Sequence, residues 1–186
     1  MNRRTLLVAV CATALTAACA PLPSTNPISR ETRAVLTFAS IEVNTTGAAF
    51  ESSRASDYTS SLAGDLRGTI EREFADRMNS GGVRMVVDIA RLNVAGATTT
   101  AFGRDQSLMQ GSVRVIGLDG QVLGTYAIQV VAGTASSTTV GALASSAVRS
   151  GDGFYRDLVN SFARDVREQI LGGDLPGQRL LRQLNN

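Results

Sequence analysis

The sequence predicts a single α+β domain, a two-layer sandwich in which a mixed four-stranded sheet carries two helices on one face, in the order β-α-β-β-β-α. Three observations predict it. Runs at 34–43, 83–94, 108–117 and 121–131 are rich in β-branched residues and partly alternate apolar with polar positions, as half-buried strands do. Two other stretches repeat apolar residues every three or four positions, the spacing of a helix with one buried face. Asp119-Gly120 lies between two of the alternating runs, a strong local signal for a hairpin.

The chain opens Met1-Asn2-Arg3-Arg4, continues through an apolar run from Thr5 to Leu15, and reaches Thr16-Ala17-Ala18-Cys19. Two arginines, a short apolar run and small residues before a cysteine resemble a bacterial lipoprotein signal peptide. The resemblance implies cleavage before Cys19, which then carries the acyl chains. The usual leucine three positions before the cysteine is replaced by Thr16, with Leu15 one place further back. The apolar run falls short of the roughly 20 residues that span a bilayer. Within the same family of signals an aspartate after the cysteine marks inner-membrane retention; Ala20 stands there, which implies the outer membrane and its periplasmic face.

Residues 1–18 are thus read as a signal peptide and 19–33 as a lipid anchor and flexible tether. Three of the four prolines fall between Ala20 and Arg33, and proline disfavours helix. Fourteen extended residues would hold the domain on the order of 40 Å from the lipid. The same composition also permits an ordered arm wrapped on the domain. The domain proper is expected at 34–173 and a C-terminal tail at 174–186. A mature chain of this length is enough for one core that buries roughly 70% of the unfolded surface.

In the first strand, Val35, Thr37, Ala39, Ile41 and Val43 would share one face. Ser56 or Asp57 then offers a cap for a long helix whose apolar residues Tyr58, Leu62, Leu66, Ile70, Phe74 and Met78 recur every four positions, with Gly81-Gly82 as its stop. Gly64 and Gly68 lie inside that helix, and close packing on the sheet is the simple explanation; a helix-pairing surface is the alternative. The second strand, 83–94, is interrupted by Arg84, Asp88 and Asn93, and Asp88 is the acid whose burial would matter most. A last helix starts near Asp152 and carries Tyr155, Leu158, Phe162, Val166 and Ile170 before Gly172-Gly173.

Composition narrows the chemistry. All 18 basic side chains are arginine, and there is no lysine, histidine or tryptophan. Serine–histidine and cysteine–histidine nucleophilic systems, Schiff-base lysines, Cys/His zinc sites and Walker A loops each need a residue type that is missing. Loss of Arg3 and Arg4 with the signal leaves basic and acidic residues in balance, so no patch is indicated for nucleic acid. Cys11 is removed too, leaving Cys19 as the only cysteine and no disulfide within the chain. The remaining carboxylates, Glu71, Glu73 and Asp76 beside Arg72 and Arg77, and Asp157, Asp165 and Glu168 beside Arg156, Arg164 and Arg167, read as solvated helix faces. No catalytic, cofactor-binding or metal-binding residue is indicated; the one site residue is the lipidation site Cys19.

Residues 132–150 are unusual: 17 of the 19 are small or β-branched, with no acid and only Arg149 as a base. They read as a connector or as a segment that orders against an envelope protein partner. Three passages carry a further resemblance: 74–84, Phe-Ala-Asp-Arg-Met-Asn-Ser-Gly-Gly-Val-Arg; the strand-turn-strand beginning at Gly111; and the small-residue stretch before Tyr155-Arg156-Asp157-Leu158. They look like small Gram-negative lipoproteins of domain-of-unknown-function families, similar in layout to YajG-type and ABC-transport auxiliary lipoproteins. That resemblance implies a helper role in the envelope and brings no catalytic residues with it. The expected function is therefore a lipid-anchored, non-enzymatic adapter or accessory subunit. The alternative is a binding module for a lipid or cell-wall component, which would need a pocket between sheet and helices.

Overall fold

The computed structural model describes residues 26–95, 106–132 and 151–173. In chain order these form α1 (Arg30–Val35), β1 (Phe38–Asn44), β2 (Ala49–Phe50), α2 (Ser53–Ser56), α3 (Leu62–Glu73), a 3-10 turn (Ala75–Arg77), β3 (Val83–Asn93), β4 (Ser107–Ile116), β5 (Val122–Ala132) and α4 (Gly151–Leu171). The sheet runs β1-β3-β4-β5. β1 pairs with β3 in parallel, and β3-β4 and β4-β5 are antiparallel. β2 continues along the same edge of β3, pairing Ala49 with Arg91 and Phe50 with Leu92. α3 packs over β1, and α4 over β4 and β5. The result is the two-layer α+β sandwich with a mixed sheet, extended by one very short strand and two short helices.

The core lies between the layers. Leu62, Leu66, Ile70 and Phe74 from the α3 side, and Leu158, Phe162, Val166 and Ile170 from α4, are all fully buried against Met85, Val87, Met109, Val113 and Ile128 of the sheet. Phe74 meets Phe38 edge to face at 5.1 Å. The opposite face of the sheet is polar: Arg84 pairs with Glu42, and Arg114 with Asp88. The β4-β5 turn is the expected one, with Gly117 N donating to Gln121 O and Gly120 at φ +80°, a conformation glycine adopts without strain.

Several expectations about local structure are corrected. Val35 belongs to α1 and is 76% exposed, because the Ser29 side chain accepts from Thr32 N and caps a helix where a strand was expected. β1 therefore begins at Phe38, and an irregularity in its pairing between Phe38 and Ser40 shifts the alternation. Phe38 and Ile41 point inward while Ala39 is exposed. The long helix is also divided. Ser52, not Ser56 or Asp57, accepts from Ala55 N and caps α2; α3 starts only at Leu62 and ends at Glu73, well before Gly81-Gly82. Apolar residues four apart drift about 40° per step around a 3.6-residue helix, so a single helix from Tyr58 to Met78 would carry its ends to opposite sides. Met78 instead bridges Phe38 at the start of β1.

The domain begins earlier than position 34. Ile28 is buried in the core cluster, and Asn26 donates through Nδ2 to Gln169 O at 2.6 Å while its Oδ1 accepts from Ile28 N at 3.0 Å and from the Tyr126 hydroxyl at 2.8 Å. These contacts satisfy a carbonyl at the end of α4, where the helix has no partners of its own. Gly124 of β5 makes room for this arm: a Cβ there would stand 2.9 Å from Pro27 Cγ. Residues 26–33, assigned from sequence to the tether, are part of the fold.

Candidate functional site

An open groove of about 620 Å³ lies between α3 and α4. One wall is Gly64, Asp65, Gly68, Thr69 and Arg72; the other is Asp152, Tyr155, Arg156, Val159 and Asn160; Tyr58 closes one end. The α4 wall is a single helical stripe, since positions 152, 155, 156, 159 and 160 fall on one face. On α3, Gly64, Gly68 and Arg72 are four apart on the side of the helix turned about 200° from the stripe of Leu62, Leu66 and Ile70 that faces the core, and Asp65 and Thr69 lie between the two stripes.

The two glycines do not have the role expected of them. A Cβ at Gly64 would meet nothing within 4 Å, and one at Gly68 only Arg72 Nη1 at 3.8 Å. Neither has a positive φ. Neither packing on the sheet nor backbone conformation requires them, yet each costs about 1 kcal/mol of helix propensity relative to alanine. What they leave is width in the groove.

Tyr58 and Tyr155 stack with ring centroids 3.7 Å apart and planes 6° from parallel. The Tyr58 hydroxyl donates to Asp152 Oδ1 at 2.6 Å, and the Tyr155 hydroxyl donates to Asp65 Oδ2 at 2.7 Å. Each helix thus supplies a carboxylate to a tyrosine from the opposite side, latching α3 and α4 together. Burial, and then the bond to Asp152, pushes the Tyr58 hydroxyl up to about 12; burial and the bond to Asp65 push Tyr155 well above the usual phenol range. Both phenols are neutral at physiological pH, and both carboxylates are occupied as acceptors. The cluster ties the two sides of the groove together through two phenol–carboxylate hydrogen bonds and a ring stack.

Two cations complete the groove. Arg72 Nη2 donates to Thr69 Oγ1 at 2.9 Å, and Arg156 Nε to Asp152 O at 3.3 Å. Among the described residues neither guanidinium is ion-paired.

A second pocket, about 490 Å³, opens at the root of the N-terminal arm, lined by Asn26, Pro27, Arg33, Thr125, Tyr126, Ala127, Glu168, Gln169 and Gly172. Arg33 Nε is buried there without a hydrogen-bond partner, an arrangement that costs roughly 1–3 kcal/mol or more for a charged donor. Its Nη1 lies 3.5 Å from where a Cβ of Gly172 would be.

Cys19 lies outside the described residues, and so do 133–150 of the expected partner segment; Ala132 is the buried last residue of β5. Asp88 is on the wet face of the sheet, bonded to Arg114 Nη2 at 2.9 Å and to Asn44 Nδ2 at 3.1 Å. Arg167, read as part of a solvated face, is 6% exposed. It forks onto both oxygens of Asp76 at 2.8 and 2.9 Å, donates to Glu73 O at 2.8 Å, and lies 5.4 Å from the Phe74 ring centre. Of the two openings, the groove lies between the two helices, and the second pocket lies between β5 and the end of α4, where a pocket between sheet and helices was expected. Among the described residues no group of three or more His, Cys, Asp or Glu is placed to hold a metal ion, and no helix is long and apolar enough to cross a membrane.

No protein-family model matches the chain, and no curated protein matches it. Among solved structures, the chain is similar to a Caulobacter crescentus CB15 protein provisionally described as a lipoprotein, at 16% identity and a TM-score of 0.37, covering 78% of this chain and 100% of that one. A superposition that loose leaves the role of this chain to its own residues.

Proposed function

We propose that this chain is an envelope lipoprotein, held through acylated Cys19 at the periplasmic face of the outer membrane, whose domain is a non-enzymatic adapter or accessory subunit of an envelope complex. The anchor rests on the sequence from Arg3-Arg4 to Cys19. The adapter role rests on one observation above all: Gly64 and Gly68 open the face of α3 across the groove from the Asp152-Arg156-Asn160 stripe of α4, and within 4 Å of the two positions a Cβ would meet only the end of the Arg72 side chain.

The groove suits a polypeptide segment better than a small molecule. Small-molecule sites enclose most of their ligand, whereas this groove is only partly enclosed. It offers the residues that protein interfaces favour, aromatic rings and arginines, with Tyr58, Arg72 and Arg156 available at its surface. The proposal that residues 132–150 also reach a partner rests on their composition and on connectivity, since they end where α4 begins. The non-enzymatic reading is supported by the groove's chemistry, in which each carboxylate is engaged by a phenol of raised pKa.

The anchor is tested by metabolic acyl labelling and membrane fractionation of wild type and Cys19→Ser. Wild type should carry label and sediment with membranes, and the variant should do neither. Soluble, unlabelled wild type would sink the anchor. Purification from detergent-solubilised envelopes tests the adapter role: a stoichiometric partner that Arg72→Ala/Arg156→Ala loses supports it, and no stoichiometric partner contradicts it.

A further inference from the structure

The fold begins so close to Cys19 that anchoring would fix which side of the domain faces the lipid. Seven residue steps separate Cys19 from Asn26, and a fully extended chain covers at most about 25 Å over that distance. Asn26 is itself fixed, bonded to Gln169 O and to the Tyr126 hydroxyl. The part of the domain held nearest the head groups is therefore the pocket at the root of the arm, lined by Arg33, Tyr126, Glu168 and Gly172.

We infer that this pocket takes the head group of a zwitterionic, amine-bearing phospholipid, with Arg33 on the phosphodiester and Glu168 on the ammonium. The inference rests on the lipid-anchor reading for its geometry and on the pocket for its chemistry. Arg33 brings a planar cation whose Nε is out of water and bonded to nothing, and guanidinium is the side chain best matched to phosphate oxygens. Glu168 lines the same pocket, and among the described residues it is ion-paired neither to Arg33 nor to any other cation. A cavity holding one unpaired cation and one unpaired anion fits a ligand carrying both charges. A purely anionic head group would satisfy Arg33 but repel Glu168. Thr125 lines the pocket as well, and about 490 Å³ accommodates a head group while leaving acyl chains in the bilayer.

The test uses the mature chain, residues 19–186, without acyl groups, so that any lipid affinity comes from the protein itself. Backbone amide signals of Arg33, Tyr126 and Gly172 are followed on titration with glycerophosphoethanolamine, glycerophosphoglycerol and inorganic phosphate. Co-sedimentation is measured with vesicles of phosphatidylcholine alone and of phosphatidylcholine mixed with phosphatidylethanolamine. The ethanolamine compound should shift those amides and bind most tightly, and the mixed vesicles should retain more protein. Arg33→Ala should weaken binding about tenfold, the loss expected of one charge-assisted contact. Glu168→Gln should leave phosphate affinity in place and abolish the preference for ethanolamine over glycerol. Equal binding of inorganic phosphate would make this a free-phosphate site and overturn the lipid assignment, and so would unshifted amides at all three positions. Acyl labelling in cells is independent of these readouts, so loss of the anchor reading and loss of the head-group reading would be told apart.

Discussion

Tyr58 and Tyr155 lie face to face, and each hydroxyl crosses to a carboxylate on the far side of the groove, Tyr58 to Asp152 and Tyr155 to Asp65. The pair couples groove shape to the protonation of two phenols. Because folding raises both pKa values, the folded state keeps its protons at a pH where the unfolded chain has lost them. Stability from this source is complete below the ordinary phenol pKa near 10, and is lost as pH rises towards about 12 and beyond. Urea titrations across that range should show a fall that is shallower in Tyr58→Phe and Tyr155→Phe. Identical alkaline limbs in all three proteins would mean that the latch contributes nothing.

Leu66 and Phe162 are fully buried from opposite helices. Truncation of either to alanine should cost about 2–5 kcal/mol, by lost transfer energy and by the cavity left between helix and sheet. Denaturant midpoints measure this directly, and unchanged midpoints in both variants would place the core elsewhere.

Arg167 closes the C-terminal end of α3 through Asp76 and Glu73. Arg167→Ala should cost about 2–3 kcal/mol, since it strips a fork of charge-assisted bonds and uncovers Phe74. Arg164→Ala, an exposed neighbour on the same helix, should fall within about 0.5 kcal/mol of wild type. Equal effects of the two in thermal unfolding would contradict the assignment.

The layers were legible because they depend on periodicity. The four long strands, the hairpin at Asp119-Gly120 and the buried stripe of α4 follow from residues whose spacing matches a strand or a helix. What escaped depends on contacts distant in sequence. The packing of Asn26 needs Tyr126 and the end of α4, 100 and more residues away. The burial of Arg167 needs Asp76, 91 residues away. The apolar pattern places Tyr155 in the core and Tyr58 against it, as the structure does, but the pattern does not show that both hydroxyls reach carboxylates across a groove. The best available signal was the cost of Gly64 and Gly68 inside a helix, read together with the polar series Asp152, Arg156 and Asn160 at helical spacing.

The central claim is that the α3-α4 groove is an interaction surface, and the double variant Gly64→Ala/Gly68→Ala tests it most directly because it separates binding from folding. Both sites accept a Cβ without a close contact, so the variant should be more stable than wild type by up to about 1 kcal/mol per site. It should nonetheless lose the partner that wild type retains on purification from detergent-solubilised envelopes, because two methyl groups narrow the groove. A more stable variant that retains the same partner in the same stoichiometry would contradict the account.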